Sequence, residues 1–191
     1  MDKKEIEIQV KIENEKVLLA FLEEKAVFKY ENRQIDEYFS PGFSDFLKER
    51  PVKEWLRLRN ANNVFSLNYK NWHFDENGKS SYCDEYESRL EDGGVVKKIL
   101  TALDFKTIVV VNKLRRVWQY EDYEISLDKV EGLGDFVEIE YIGKEVGPSP
   151  GDITSGMIDF LKNLEVGKIE RNYQGYPFML LFKDEIKTEV E

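Results

Sequence analysis

The sequence is short of residues for nucleophilic and redox chemistry. It has one cysteine, Cys83, and one histidine, His73, in 191 residues. A lone cysteine excludes an internal disulfide framework and a cysteine-based zinc cluster. A lone histidine removes most histidine-dependent zinc sites and catalytic triads. Basic charge is also in deficit. Lys and Arg number 28 against 38 Asp and Glu, a formal net charge of −10. That balance argues against nucleic-acid partners and anionic membranes, which need a basic footprint. No apolar run approaches ~18 residues and the opening residues form no apolar leader, so a soluble cytoplasmic protein is expected. No Pro/Gly/Ser-rich linker divides the chain, which reads as a single domain over residues 1–191 with a sizeable core.

What is present is alternation. In "KKEIEIQVKIEN", Glu5, Glu7, Gln9 and Lys11 alternate with Ile6, Ile8, Val10 and Ile12, the period-2 pattern of a strand with one apolar face. Strands are predicted at 3–12, 33–40, 54–60, 63–71, 80–90, 107–119, 122–130 and 135–142. Asn77-Gly78 in "DENGKS" signals a hairpin between the fourth and fifth. Three- and four-residue spacing predicts helices in "ENEKVLLAFLEEKAVF", in "GGVVKKILTAL" through Val95, Ile99 and Leu103, and in "GDITSGMIDFLKNL", with Asp152 or Thr154 as N-cap. "GFSDFLKE" is read as a short helix, "YPFMLLF" as a strand or docking stretch, and "KDEIKTEVE" as a solvated end.

The polar strand faces carry sorted charge. Acids stand at Glu5, Glu7, Glu85, Glu87, Glu124, Asp128, Glu138 and Glu140; bases stand at Lys11, Arg57, Arg59, Lys70, Arg89, Lys113 and Arg115. Near-balance on one face, in so acidic a chain, suggests two sets that answer each other across a space. The pattern leaves two arrangements open: a half-solvated antiparallel sheet, or a barrel of about eight strands with its charges inside and helices outside. Clustered carboxylates suit Mg²⁺ or Mn²⁺, and clustered Arg and Lys suit phosphate. Both in one cavity describe a receptor for a metal-bound polyphosphate, where catalysis needs no histidine or cysteine.

The competing motifs are weak. "GLGDF" holds two of three dinucleotide-binding glycines and is read as a turn, and no Walker A sequence occurs. His73 is read as a loop residue, Cys83 as packing, and Trp55, Trp72 and Trp118 as strand packing.

The opening Glu-x-Glu, "QIDEYF", "WLRLR", "LNYK", "DEYES", "NKLRRVW" and "ISLDKVEGLGDFVEIEY" occur in an order that resembles the CYTH superfamily of triphosphate tunnel metalloenzymes, in particular its class IV adenylyl cyclase-like branch. The resemblance implies an α+β fold, an eight-stranded antiparallel tunnel with polar contents and outer helices. It implies metal binding by Glu5, Glu7, Glu138 and Glu140, with Asp128, Glu85 and Glu87 in support. It implies phosphate binding by Arg57, Arg59, Lys70, Lys113 and Arg115. The family signature is Glu-x-Glu-x-Lys, and this chain has Gln9 where the lysine would stand. Lys11 follows on the same face, roughly 7 Å on by strand rise, and joins Glu5 and Glu7 as a candidate catalytic and substrate-binding residue.

The implied activity is a metal-dependent reaction on a triphosphate, ATP or tripolyphosphate. Attack by the ribose 3′-hydroxyl gives cyclic AMP and pyrophosphate; attack by water gives a triphosphatase; binding without turnover is the third reading. A homodimer is compatible with the resemblance.

Overall fold

The computed structural model describes residues 4–143 and 149–191. In chain order the elements are β1 (Lys4–Glu5), β2 (Glu7–Ile12), α1 (Glu15–Lys25), β3 (Val27–Pro41), β4 (Glu54–Ala61), β5 (Val64–Phe74), β6 (Ser80–Leu90) and α2 (Gly93–Ala102). They continue with β7 (Phe105–Tyr120), β8 (Tyr123–Val130), β9 (Gly134–Tyr141), α3 (Pro150–Asn163), β10 (Ile169–Asn172), α4 (Gly175–Leu181) and β11 (Thr188–Val190).

All strands belong to one antiparallel sheet, in the order β1-β6-β5-β4-β3-β7-β8-β9-β2-β10-β11. The architecture is the expected α+β tunnel fold, although its sheet has more segments than eight and no ladder closes it. β1 and β2 are pieces of one extended segment parted at Ile6. Glu5 pairs with Cys83 on β6, and Glu7 pairs with Glu140 on β9. Ile6 alone therefore separates the two pairings that bracket a seven-strand arc, β6 to β9, and continuity of the backbone makes β1 and β2 together the eighth strand of the ring.

Burial explains which face turns inward. The apolar faces of β2, β8 and β9 give Ile8, Val10, Ile125, Leu127, Val137 and Ile139, which pack against Leu18 and Leu22 of α1 and Met157 and Leu161 of α3. Each fully buried side chain of this kind contributes about 1.5–3 kcal/mol, so helices outside are the stable solution and charges are left inside. A second cluster joins Tyr38, Trp55, Val111 and Phe136 to Tyr176, Phe178 and Met179 of α4.

The ends of elements differ from expectation where local chemistry intervenes. α1 stops at Lys25, and β3 starts six residues ahead of its predicted beginning, pairing with β7 along its length. α3 is capped by Ser149, not Asp152 or Thr154. Asp152 is the reciprocal partner: its amide donates to Ser149 Oγ at 3.2 Å while its carboxylate accepts from the Ser149 amide at 3.1 Å. Residues 42–49 form turns, not a helix. The "YPFMLLF" stretch is α4, a helix, and part of the supposed solvated end is β11, paired with β10.

α2 is the clearest reversal. Its predicted stripe of Val95, Ile99 and Leu103 faces solvent, at 49%, 51% and 58% exposure. Leu100, with Val96 beside it, packs instead on Phe39 and Leu58. Both stripes are apolar, and the sheet takes only one.

Candidate functional site

Strand order sorts the charges into two arcs. β4, β5 and β7 bring Arg57, Arg59, Lys70, Lys113 and Arg115 to the inner face. β6, β1, β2 and β9 bring Glu85, Glu87, Glu5, Glu7, Glu138 and Glu140 to it. All of these line one cavity of about 250 Å³.

The basic arc is held open by buried acids. Asp36 on β3 lies directly opposite Arg59 on β4. Arg59 Nε and Nη2 donate to its two oxygens at 2.7 Å each, and Arg57 Nη1 stands 3.6 Å away. Burial raises the Asp36 carboxyl, but Arg59 and Arg57 outweigh it and hold it well below the carboxylate range. Asp128 on β8 does the same for β7. It lies opposite Arg115, accepts from Arg115 Nε at 2.7 Å and Nη2 at 2.5 Å, and takes Lys113 Nζ at 2.9 Å and the Tyr176 hydroxyl at 2.9 Å. Arg57 retains donor capacity: among the described residues its Nε is buried with no hydrogen-bond partner. Lys113 is lowered to about 8, by burial first and then by Arg115.

In the acidic arc Glu5 is 5% exposed and is met by Lys70, whose ammonium also lies 3.8 Å from Glu85. Burial disfavours the Lys70 charge, but Glu5, Glu7 and Glu85 prevail and raise its pKa well above the lysine range. Glu138 accepts from Arg115 and from Gln9 Nε2, the latter at 2.9 Å. Against burial, Arg115, Lys113 and the Gln9 bond hold Glu138 well below its usual range. Glu7 is the exception. Burial pushes its carboxyl well up, Lys70 opposes, and Glu5, Glu138 and Glu140 add to the rise. Gln9 is itself tied from the far side, where Asn172 Nδ2 donates to Gln9 Oε1 at 2.5 Å.

The CYTH domain family model matches residues 3–146. This chain belongs to the CYTH domain family. A curated relative, the "Putative adenylate cyclase" of Methanocaldococcus jannaschii, is 32% identical over 166 residues, 86% of this chain and 91% of that protein. The solved PH1819 protein of Pyrococcus horikoshii is similar at a TM-score of 0.75 and 29% identity, over 95% of this chain and 99% of that one. A Hippeastrum protein, whose structure is described together with a dominant triphosphatase activity, shares the fold at a TM-score of 0.64 and 18% identity. That likeness covers 95% of this chain and 96% of the other.

The CYTH tunnel brings together most of the expected site residues and leaves two outside its cavity. Lys11 donates to the Leu133 carbonyl at 3.1 Å and lies 4.6 Å over the Phe136 ring, lining a separate cleft. Asp128, 2% exposed, is already surrounded by Lys113, Arg115 and Tyr176 and acts behind the wall. Reading the sequence missed Asp36, although it alternates with Gln34 and Tyr38. It also missed Asn68, which donates to Glu85 at 2.5 Å, and Ser66, which donates to Glu87 at 2.7 Å. Tyr176 and Gln174 gave no signal, because α4 comes from beyond the matched segment. Trp55 and Trp72 line the cavity besides packing. His73 sits in β5, not a loop, bonded to Asp84 at 2.7 Å and stacked on Tyr82. Cys83 is buried 3.0 Å from Glu5, its thiol pushed up by burial.

A divalent cation fits the acidic arc on two grounds. The donors are carboxylate oxygens, the type that hard cations take, and Glu7 stands among three other acids whose charges add to burial in raising its carboxyl, a repulsion that a bound cation relieves. Among the described residues no three acidic, histidine or cysteine side chains form a ready cage. Mg²⁺ commonly binds through one or two carboxylates completed by water and substrate phosphate, so the arc suits that mode.

Proposed function

We propose that this CYTH protein is a divalent-metal-dependent enzyme acting on a triphosphate inside the tunnel, in the manner of a class IV adenylyl cyclase. The carrying observation is that five bases face seven acids, Glu124 included, across one small cavity. No net-negative ligand would enter a cavity lined by acids alone, and no metal would be drawn to one lined by bases alone.

Arg57, Arg59, Lys113 and Arg115 bind and orient the phosphate chain. Asp36 and Asp128 fix the guanidinium planes so that little reorganisation accompanies binding. Glu5, Glu7, Glu138 and Glu140 would hold Mg²⁺ or Mn²⁺, with Glu85 and Glu87 beside them. When bound, such an ion supplies charge neutralisation and Lewis-acid polarisation of the phosphoryl oxygens. In the cyclase reaction the ribose 3′-oxygen bonds to the α-phosphorus as its proton passes to solvent, and the bond from the α-phosphorus to the bridging oxygen breaks, leaving pyrophosphate on the basic arc until it dissociates.

A second reading is triphosphate hydrolysis. Glu7 and Gln9 line this cavity and a larger neighbouring one, which gives water a route to the acidic arc. A product assay decides: ATP and tripolyphosphate are incubated with Mg²⁺ or Mn²⁺ and the products identified. Cyclic AMP with pyrophosphate is the expected result. Orthophosphate with no cyclic AMP would assign hydrolysis, and metal-dependent binding without product would sink the enzymatic reading.

A further inference from the structure

α2 turns an apolar stripe outward. Val95, Ile99 and Leu103 are exposed and belong to none of the core clusters. The helix has no other place for them, because its second stripe, through Val96 and Leu100, is spent on Phe39 and Leu58. The outward stripe has a definite aspect. Lys97 leaves α2 on the flank of Leu100 opposite the stripe and reaches Glu37 of β3 at 2.8 Å. The stripe therefore looks the other way along the sheet, toward β5 and β6. There Tyr86 of β6, 51% exposed, lies nearly parallel to Tyr69 of β5. At the far end of α2 the Gly42 amide donates to the Asp104 carbonyl at 2.8 Å. That bond sets Phe43 beside the helix end, 76% exposed, with its ring edge-on to Phe105.

Five side chains thus leave roughly 500 Å² of apolar surface in water, near the upper end of what a monomer carries as one patch. A stable interface buries about 800 Å² per partner, apolar at its centre and polar at its rim. The patch supplies most of that area. The stripe itself carries no charge, so covering it buries none.

Its spacing selects the occupant. Val95 and Leu103 stand four residues before and after Ile99. A twofold axis at Ile99 therefore lays the stripe on itself, with Leu103 of one copy against Val95 of the other, the self-complementarity that a closed dimer needs. The helices then run antiparallel, which sets their dipoles favourably. Glu91 and Asp92 stand at the start of α2, and Lys106, paired loosely with Asp104 at 3.8 Å, stands past its end. The same axis brings each acidic start toward the other copy's lysine.

We infer that α2 and its flank are a twofold interface between two copies of this chain, with Ile99 at the axis. The inference does not depend on the reaction in the tunnel.

Sedimentation equilibrium on wild type, Ile99→Glu and Leu103→Glu tests it. Wild type is expected to form a dimer of micromolar or tighter affinity. Each glutamate, at a position exposed in the single chain, is expected to weaken it at least about thirtyfold, as loss of a central contact does. A second measurement places the axis. Ile99→Cys is expected to cross-link to its own copy under oxidised glutathione, and Val27→Cys, exposed at the opposite end of β3, is not; the native Cys83 is buried. A wild type that stays monomeric at about 100 µM overturns the inference, whatever other protein the patch then binds. A dimer that survives both glutamates, or equal cross-linking at Ile99→Cys and Val27→Cys, overturns it by placing the interface elsewhere.

Discussion

Two strands flanking β3 carry the basic arc, and they are built alike. On β4, Arg59 makes a two-pronged bond to a buried aspartate directly across from it, and Arg57 approaches the same carboxylate from two residues away. On β7, Arg115 does this with Asp128, and Lys113 approaches from two residues away. The difference lies in the second cation and in what else the aspartate holds. Asp36 answers two guanidinium groups, which never lose their charge. Asp128 answers a guanidinium, an ammonium and a tyrosine of α4. One wall is therefore permanently charged; the other keeps its Arg115 charge but loses that of Lys113 as pH rises, and it is tied to α4 through Tyr176. Two walls with one construction thus need not behave as one binding site.

The largest test of this contrast removes the aspartates. Asp128→Ala strands Lys113 in a buried place, leaves Arg115 with Glu138 alone and frees the Tyr176 hydroxyl, and breaking a buried pair on one side costs about 3–5 kcal/mol. Asp36→Ala is expected to cost less, since it holds no third partner. Denaturant unfolding of both variants measures this, and an equal or larger loss for Asp36→Ala contradicts the asymmetry. Next comes Arg57→Ala. Its guanidinium retains an unfilled donor, and a hydrogen bond to a charged group is worth about 1.5–3 kcal/mol. Triphosphate affinity should drop about tenfold or more by titration calorimetry; a change under twofold would take Arg57 out of the binding set.

A smaller effect follows from pH. Burial and Arg115 lower Lys113 to about 8, outweighing Glu138 and Asp128, which raise it. Below pH 8 the ammonium is in place. Above it the free protein must take up a proton to bind phosphate, so metal-free tripolyphosphate affinity should fall by up to about tenfold per pH unit. Lys113→Arg, which cannot deprotonate, should flatten that profile; a fall that persists in the variant would assign the titration elsewhere. The smallest expected change is Gln9→Lys. It places a cation beside Glu138 and Glu7 at the loss of the Asn172 bond, and it should raise triphosphate affinity and turnover by a few-fold. No gain with intact binding would mean that Lys70 or another base already supplies the charge.

Much of this site was legible in the sequence because strands alternate. Once Glu5 faces inward, Glu7 must as well, and the same parity puts Arg57 with Arg59 and Lys113 with Arg115. Alternation says nothing of which strand stands opposite, so the role of Asp36 emerged only from its register with Arg59. Lys11 has the correct parity but lies past the end of the cavity, where β2 meets β10 and the Leu133 carbonyl captures its amine. α2 shows the same limit for helices. Two apolar stripes run along it, and packing on Phe39 and Leu58 chose the one that periodicity did not single out. Tyr176 and Gln174 were hidden because α4 and its flank are distant in the chain from the strands they meet, and no local pattern encodes that placement.

The parting of β1 from β2 at Ile6 bears on how the molecule comes to exist. Glu5 pairs near residue 83, whereas the next inward acid, Glu7, pairs at residue 140, and Gln9 pairs at both 138 and 172. Glu7 and Gln9 thus wait for partners far along the chain, and contacts of such sequence separation form slowly. The carboxylates of Glu5 and Glu7 are thus the earliest part of the site to be synthesised and the last to be assembled, and until β9 is in place the basic arc lacks the acids that face it.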